Sequence, residues 1–103
     1  IDQNPDVAFW LRNPSKWDGS FRLLLSSGQH FYPDFIGRLR DSRVFAIEYK
    51  GKFLESADDA KEKDLIGRLW ARRSNGRAIF LMATSEDERG RTTERQMQEA
   101  LRR

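Results

Sequence analysis

The sequence predicts an α/β domain with a mixed sheet of about four strands, in the order α-β-β-β-α-β-α, with helices on both faces. Short apolar segments alternate with turn-forming pairs such as Ser27-Gly28 and Asp41-Ser42, which is typical of hairpin-connected strands. A longer segment over residues 56–74 repeats its apolar residues at helical spacing. A wholly apolar run follows it, as expected for a strand that is buried on both faces.

The N-terminal segment is expected to form a short helix over residues 4–11. Asn4 can cap a helix, Pro5 suits its first turn, and Asn13 followed by Pro14 is typical of a helix end. The next segments predict three strands joined by short turns, over residues 21–25, about 30–39 and 44–50. Short connections of this kind indicate an antiparallel meander.

The second half of the chain predicts two helices separated by one strand. The first helix is expected to begin at Ser56 and to end at the turn that contains Asn75. The apolar run over residues 78–83 predicts a strand that is parallel to the one before the helix, because a helical crossover connects them. A final helix is expected from Thr93, with Gln96 completing a capping box.

The composition fits one folded domain over residues 1–103, because 38% of the chain is hydrophobic and 12% is aromatic. The net charge of +3 is compatible with nucleic acid but does not single it out. No apolar run reaches the roughly 20 residues that a membrane span needs, so we expect no membrane partner. The absence of cysteine excludes disulfides and fits a reducing compartment, so we expect a cytoplasmic protein.

Charged residues of the third predicted strand carry the functional prediction. Phe45 and Tyr49 point to one face of this strand, while Glu48 and Lys50 point to the other. A short turn brings Asp34 of the preceding strand beside Glu48. Two carboxylates, with the backbone carbonyl of Tyr49, are ligands that suit Mg²⁺ or Mn²⁺, and Lys50 adds an ammonium group beside a bound phosphate.

Other interpretations of the same residues stay open at this point. Glu-x-Lys alone is a weak signal, and a solvated ion pair on an edge strand is its usual meaning. Gln29 and His30 lie at the start of the predicted strand that carries Asp34, where they can contact phosphate. A local hydrogen bond is, however, typical of a histidine at a strand end. Lys63, on the crossover helix, can reach the site or a DNA backbone, or it can belong to a solvated helix face.

The chain at this point resembles a known family. The segments YPDFI (residues 32–36) and VFAIEYKG (residues 44–51) resemble the signature of the PD-(D/E)xK nuclease superfamily. More narrowly, they are similar to the C-terminal nuclease domain of type III restriction enzyme endonuclease subunits and related DEAD/DEAH-box helicases. The segment WLRN (residues 10–13) and the crossover-helix residues Lys63, Gly67 and Trp70 are also similar to that group.

The resemblance covers about residues 7–84 and implies a restriction-endonuclease-like fold with magnesium-dependent cleavage of DNA. It assigns Asp34 and Glu48 to metal binding and Lys50 to catalysis. It also implies that the chain is a C-terminal piece of a longer protein whose ATPase motor lies elsewhere, since the sequence has no Gly-x-x-x-x-Gly-Lys-Ser/Thr loop. One site per chain is compatible with nicking or with a homodimer. The alternative is an inactive module of the same fold that binds nucleic acid or a partner protein.

Overall fold

The computed structural model of the chain describes residues 4–15, 17–50, 57–84 and 90–102. The elements within these ranges are β1 (Val7–Arg12), β2 (Leu23–Leu24), β3 (His30–Phe31), β4 (Phe35–Leu39), β5 (Val44–Tyr49), α1 (Ala57–Arg73), β6 (Ala78–Ala83) and α2 (Thr93–Arg102). Four of the strands form one mixed sheet, and two helices accompany it. The predicted α/β class and the predicted mixed sheet of four strands are therefore confirmed.

The main sheet has the strand order β1-β4-β5-β6, so that β4 and β5 are its central strands. β4 pairs antiparallel with both β1 and β5. β5 and β6 pair in parallel, from Val44 opposite Ala78 to Tyr49 opposite Ala83. This parallel pair on either side of α1 confirms the crossover predicted from the sequence.

The predicted first helix over residues 4–11 is wrong, because this segment contains strand β1. Residues Val7–Arg12 pair with β4, ending at Arg12 opposite Phe35. The Asn4 side chain, predicted to cap a helix, accepts a hydrogen bond from the Asp6 N–H (2.9 Å) and so closes a turn. A helix this short is marginal in water, whereas valine and aromatic side chains favour a strand once a partner strand is present.

The first two strands of the predicted meander are also wrong in extent. The strand predicted over residues 21–25 is reduced to β2, which pairs only with β3 in a separate two-stranded sheet. The strand predicted over residues 30–39 is divided into β3 and β4. Pro33 lies at the break, where its ring is fully buried and its missing N–H removes a ladder hydrogen bond.

The two helices lie on opposite faces of the main sheet, as predicted. Alternate residues of the central strands point toward α2 and form the core. The buried members of this core are Val7, Leu39, Phe45, Ile47, Ala83 and Leu101. On the other face, Phe80 lies opposite Ala46 in the sheet and contacts α1 at Gly67. Glu48 belongs to this second face, because it follows Ala46 by two positions on β5.

The end of α1 is as predicted, whereas its predicted start at Ser56 lies outside the described residues. Asn75 and Gly76, just beyond the helix, have positive φ angles of 58° and 84°. Such angles stop a helix and are readily adopted by asparagine and glycine. Neither helix that the structure describes has the length and apolar character needed to cross a membrane.

The start of α2 at Thr93 is confirmed, but its predicted capping box is wrong. The Thr92 hydroxyl accepts a hydrogen bond from the Arg95 N–H (3.3 Å), so Thr92 caps the helix. The Gln96 carboxamide instead donates to the Thr84 carbonyl (3.0 Å) and accepts from the Thr84 N–H (3.0 Å). Gln96 therefore fastens α2 to the end of β6.

Gly67 of α1 packs against the ring of Phe80, and an added methyl group there would overlap that ring. Replacing Gly67 by alanine is expected to lower the free energy of unfolding by about 1–3 kcal/mol, because overpacking outweighs the better helix propensity of alanine. Urea unfolding followed by circular dichroism measures the change. Leu65→Ala, on the exposed side of α1, is the control and should stay within about 0.5 kcal/mol of wild type. A more stable Gly67→Ala variant would contradict the packing described for α1.

Candidate functional site

Asp34 and Glu48 come together where the pairing of β4 and β5 ends. The last pairs of this ladder are Ile36 opposite Ala46 and Phe35 opposite Ile47. Continuing the same register by one residue places Asp34 opposite Glu48. Directly opposite residues of an antiparallel pair are close neighbours. The register thus places the backbone positions of the two acids opposite each other, with Asp34 directly before β4 and Glu48 within β5.

Asp34 is held in place by hydrogen bonds from two backbone N–H groups, one to its side chain and one to its main chain. Its Oδ2 accepts a hydrogen bond from the Tyr49 N–H (2.8 Å), and its carbonyl accepts one from the Asn13 N–H (2.8 Å). Bonds of a backbone N–H to a charged carboxylate are short and strong, so the orientation of Asp34 is fixed. The other carboxylate oxygen of Asp34, Oδ1, takes no part in the hydrogen bond from Tyr49.

Glu48 is a buried carboxylate, with 7% of its surface exposed. Lys63 of α1 places its Nζ 3.7 Å from Glu48 Oε2 and 5.3 Å from the centre of the Phe31 ring. The ammonium group offsets part of the cost of burying the carboxylate, and the ring adds a cation–π contact. The interpretation of Glu48 as a solvated charge on an edge strand is therefore wrong, since β5 is central and Glu48 is buried.

Lys50 and Tyr49 lie at the end of β5, and both are exposed. The Lys50 N–H donates to the Ala83 carbonyl (2.8 Å), which continues the pairing of β5 with β6 by one residue. Because side chains alternate along an extended strand, this places Lys50 on the same face as Glu48. The Tyr49 carbonyl was predicted from the sequence to bind a metal. The contact that the structure describes for Tyr49 is a different one, in which its N–H orients the Asp34 carboxylate.

Gln29 and His30 lie in the β2–β3 hairpin and are exposed. The Gln29 carbonyl accepts from the Leu25 N–H (2.9 Å), and its own N–H donates to Ser27 Oγ (3.3 Å). The His30 ring lies 6.5 Å from that of Tyr32. The contacts described for these two residues thus stay within or next to the hairpin. Of the three residues predicted to contact phosphate, Lys63 is the one that the structure brings to an acid of the site.

Asn13 is an important residue that the sequence prediction missed. It is 5% exposed, and its Nδ2 donates to the carbonyls of Phe21 (2.8 Å) and Pro33 (2.9 Å). Its Oδ1 accepts from the Phe21 N–H (3.0 Å). In the sequence, Asn13 stands before a proline, which fits a helix end as well as a buried loop anchor, and it ends the WLRN segment (residues 10–13), which gave it no role in the site. The contacts show the second of these roles.

The donor set at the end of β4 and β5 fits a hard divalent cation. Two carboxylates and one backbone carbonyl suit Mg²⁺, which keeps several water ligands when protein binds it. Among the described residues, there is no group of three or more His, Cys, Asp or Glu side chains that could hold a metal ion. A metal here would therefore depend on Asp34 and Glu48 as its side-chain ligands, and the Tyr49 carbonyl and water would have to complete its coordination.

The site consequently joins a fixed carboxylate, Asp34, and a buried carboxylate, Glu48, with one lysine beside them on α1 and another at the end of β5. This combination of two acids with nearby ammonium groups can bind a cation and an anion together. In comparison with known proteins, the chain matches no family model, no curated protein and no solved structure.

Proposed function

We propose that the chain is a magnesium-dependent endonuclease domain that hydrolyses phosphodiester bonds of DNA. The observation that supports this most is the register of β4 and β5, which places Asp34 opposite Glu48 at the end of two central strands. Lys50 follows two residues later on the same face of β5. The resemblance to PD-(D/E)xK nucleases supplies the reaction type and suggests a parent restriction or helicase-nuclease protein.

The roles of the residues follow from their surroundings. Asp34, Glu48 and the Tyr49 carbonyl would hold Mg²⁺, which polarises the phosphate and lowers the pKa of a bound water. The Tyr49 N–H orients Asp34 before any ligand binds, so little reorganisation is needed. Lys50 is exposed beside the pair and provides an ammonium group for the negative charge that develops on the phosphate.

Lys63 has a second role in this proposal. Its ammonium group lies 3.7 Å from Glu48 Oε2 and compensates the charge of that carboxylate. A cation that binds Glu48 competes with this ion pair, because like charges repel at short distance. Lys63 then becomes available to a phosphate oxygen at the same site, which agrees with its predicted contact to DNA.

The alternative is a module of the same fold that binds nucleic acid or a partner protein without cutting. The ion pair between Lys63 and Glu48 favours it, because this carboxylate is compensated without any metal. The two functions differ in one measurable property. A nuclease cleaves DNA only with a divalent ion, whereas a binding module retains DNA unchanged with or without the ion.

The test is a cleavage assay with supercoiled, linear, branched and single-stranded DNA in Mg²⁺ or Mn²⁺. We expect cleavage that EDTA abolishes and that Asp34→Asn lowers by about 100-fold, because a metal ligand loses its charge. Asp41→Asn is a matched control. Asp41 lies beyond the opposite end of β4 and also accepts a backbone hydrogen bond, from the Arg43 N–H (3.1 Å). Cleavage by this control should equal that of wild type.

The possible outcomes separate the proposals. Lys50→Ala keeps both carboxylates, so it should retain Mn²⁺ binding and lose cleavage if this lysine acts on the phosphate. Saturable DNA binding without cleavage of any substrate would establish the binding module. Cleavage that is unchanged in Asp34→Asn would rule out the assignment of this site.

A further inference from the structure

The side chain of Asn13 connects three segments that meet behind the candidate site. It bonds both the N–H and the carbonyl of Phe21, and it bonds the carbonyl of Pro33, directly before Asp34. We infer that Asn13 is a positioning residue, which sets where the Asp34 carboxylate lies relative to Glu48. The inference rests on the proposed function for its consequence in metal binding, although the positioning itself can be tested without metal.

The hydrogen bonds at the end of β4 show how Asn13 acts. In the register of β4 and β5, the residue opposite Tyr49 is Pro33. In a regular ladder the Pro33 carbonyl accepts the Tyr49 N–H. In this structure the Pro33 carbonyl instead accepts Asn13 Nδ2 (2.9 Å), and the Tyr49 N–H donates to Asp34 Oδ2 (2.8 Å). Asn13 thus donates to the Pro33 carbonyl, which would otherwise compete with the Asp34 carboxylate for the Tyr49 N–H.

A carboxamide is required for this arrangement. The buried Nδ2 serves two carbonyl acceptors, and Oδ1 serves one N–H donor, so both ends of the amide are used. An aspartate of the same shape keeps the acceptor for the Phe21 N–H and has no N–H to donate to Pro33. The backbone N–H of Asn13 also donates to the Asp34 carbonyl (2.8 Å). The side chain of Asn13 therefore holds Pro33, and its main chain holds the next residue, Asp34.

The metal-free test is hydrogen exchange of the Tyr49 amide, relative to the Phe45 amide in the middle of β5. In Asn13→Asp and Asn13→Ala we expect this ratio to rise by about tenfold, because the segment that carries Pro33 and Asp34 loses its side-chain anchor and opens more often, whichever of its two acceptors the Tyr49 N–H then uses. The Phe21 amide should remain protected in Asn13→Asp and lose protection in Asn13→Ala. Taking the ratio to Phe45 removes the contribution of global unfolding, so a less stable variant still gives a result.

The second readout is the affinity for Mn²⁺, measured by titration calorimetry under conditions in which each variant is folded. Both Asn13 variants should bind Mn²⁺ about 10- to 100-fold more weakly, as expected when a residue that orients a ligand is removed. Arg43→Ala is the control, because Arg43 bonds Asp41 and the Leu101 carbonyl at the far end of the sheet. This control should change neither the Tyr49 exchange ratio nor the Mn²⁺ affinity.

Each outcome decides one of two questions. A folded Asn13→Asp variant with wild-type Tyr49 exchange and wild-type Mn²⁺ affinity would overturn the positioning role. Faster Tyr49 exchange in a chain whose wild type binds no Mn²⁺ would support the positioning role and overturn the proposed metal-dependent function. Faster exchange together with weaker Mn²⁺ binding would support both.

Discussion

Glu48→Gln is expected to lower metal-dependent DNA cleavage by about 100- to 1,000-fold. The substitution removes a ligand charge, and it also leaves the Lys63 ammonium beside a neutral amide. A cation that enters the site then meets a positive charge that Glu48 no longer offsets, which Asp34→Asn does not create. The measurement is the single-turnover cleavage rate at saturating Mg²⁺, with Mn²⁺ affinity determined in parallel.

Glu99→Gln is the matched control for this variant. Glu99 lies on α2 and, like Glu48, pairs with a basic side chain, here Arg91. Arg91 lowers the pKa of the Glu99 carboxyl through a hydrogen bond and through its charge. Because α2 covers the opposite face of the sheet, cleavage by Glu99→Gln should equal that of wild type. Wild-type cleavage by Glu48→Gln would show that Glu48 takes no part in the proposed reaction.

Phe45→Ala is expected to destabilise the chain by about 3–5 kcal/mol. Phe45 is completely buried between the sheet and α2, in the core cluster that includes Leu39, Ile47 and Leu101. Its ring also fills the space above Gly37, where β4 offers no side chain. Small domains have a total stability of about 5–15 kcal/mol, so this loss leaves a large unfolded fraction on mild heating.

The measurement for Phe45→Ala is the urea midpoint and the slope of the transition. Phe9→Ala serves as the control, because Phe9 lies on the edge strand β1 with about half of its surface exposed, 51%. This control is expected to cost less than about 1 kcal/mol. A Phe45→Ala variant within about 1 kcal/mol of wild type would show that the core does not depend on this ring.

The fold was predictable where a pattern is local and continuous. The apolar run over residues 78–83 and the alternation over residues 44–49 correspond to β6 and β5, and the helical crossover between them gave their parallel pairing. β1 was missed because Asn4 and Pro5 are local signals for a helix, whereas its pairing with β4 joins residues far apart in sequence. Long-range pairing outweighed the local preference.

The candidate site was predictable in part for the same reason. Alternation put Glu48 and Lys50 on one face, and a turn between consecutive strands brought Asp34 toward them. The ion pair of Lys63 with Glu48 and the buried role of Asn13 depend on the packing of α1 and of the segments that hold Phe21 and Pro33. No spacing rule encodes such contacts, since each partner lies in a different element.

The hairpin formed by β2 and β3 is held against the rest of the domain but has one open position in its turn. Phe31 of β3 packs against Phe80, and Ser26, in the turn after β2, bonds Glu62 of α1. The tip of the turn at Gly28 is open, since nothing lies within 4 Å of the position that a side chain there would occupy. Residues inserted at that tip lengthen the hairpin without moving the register of β4 and β5. The tip is thus a suitable position at which to insert a fluorescent reporter.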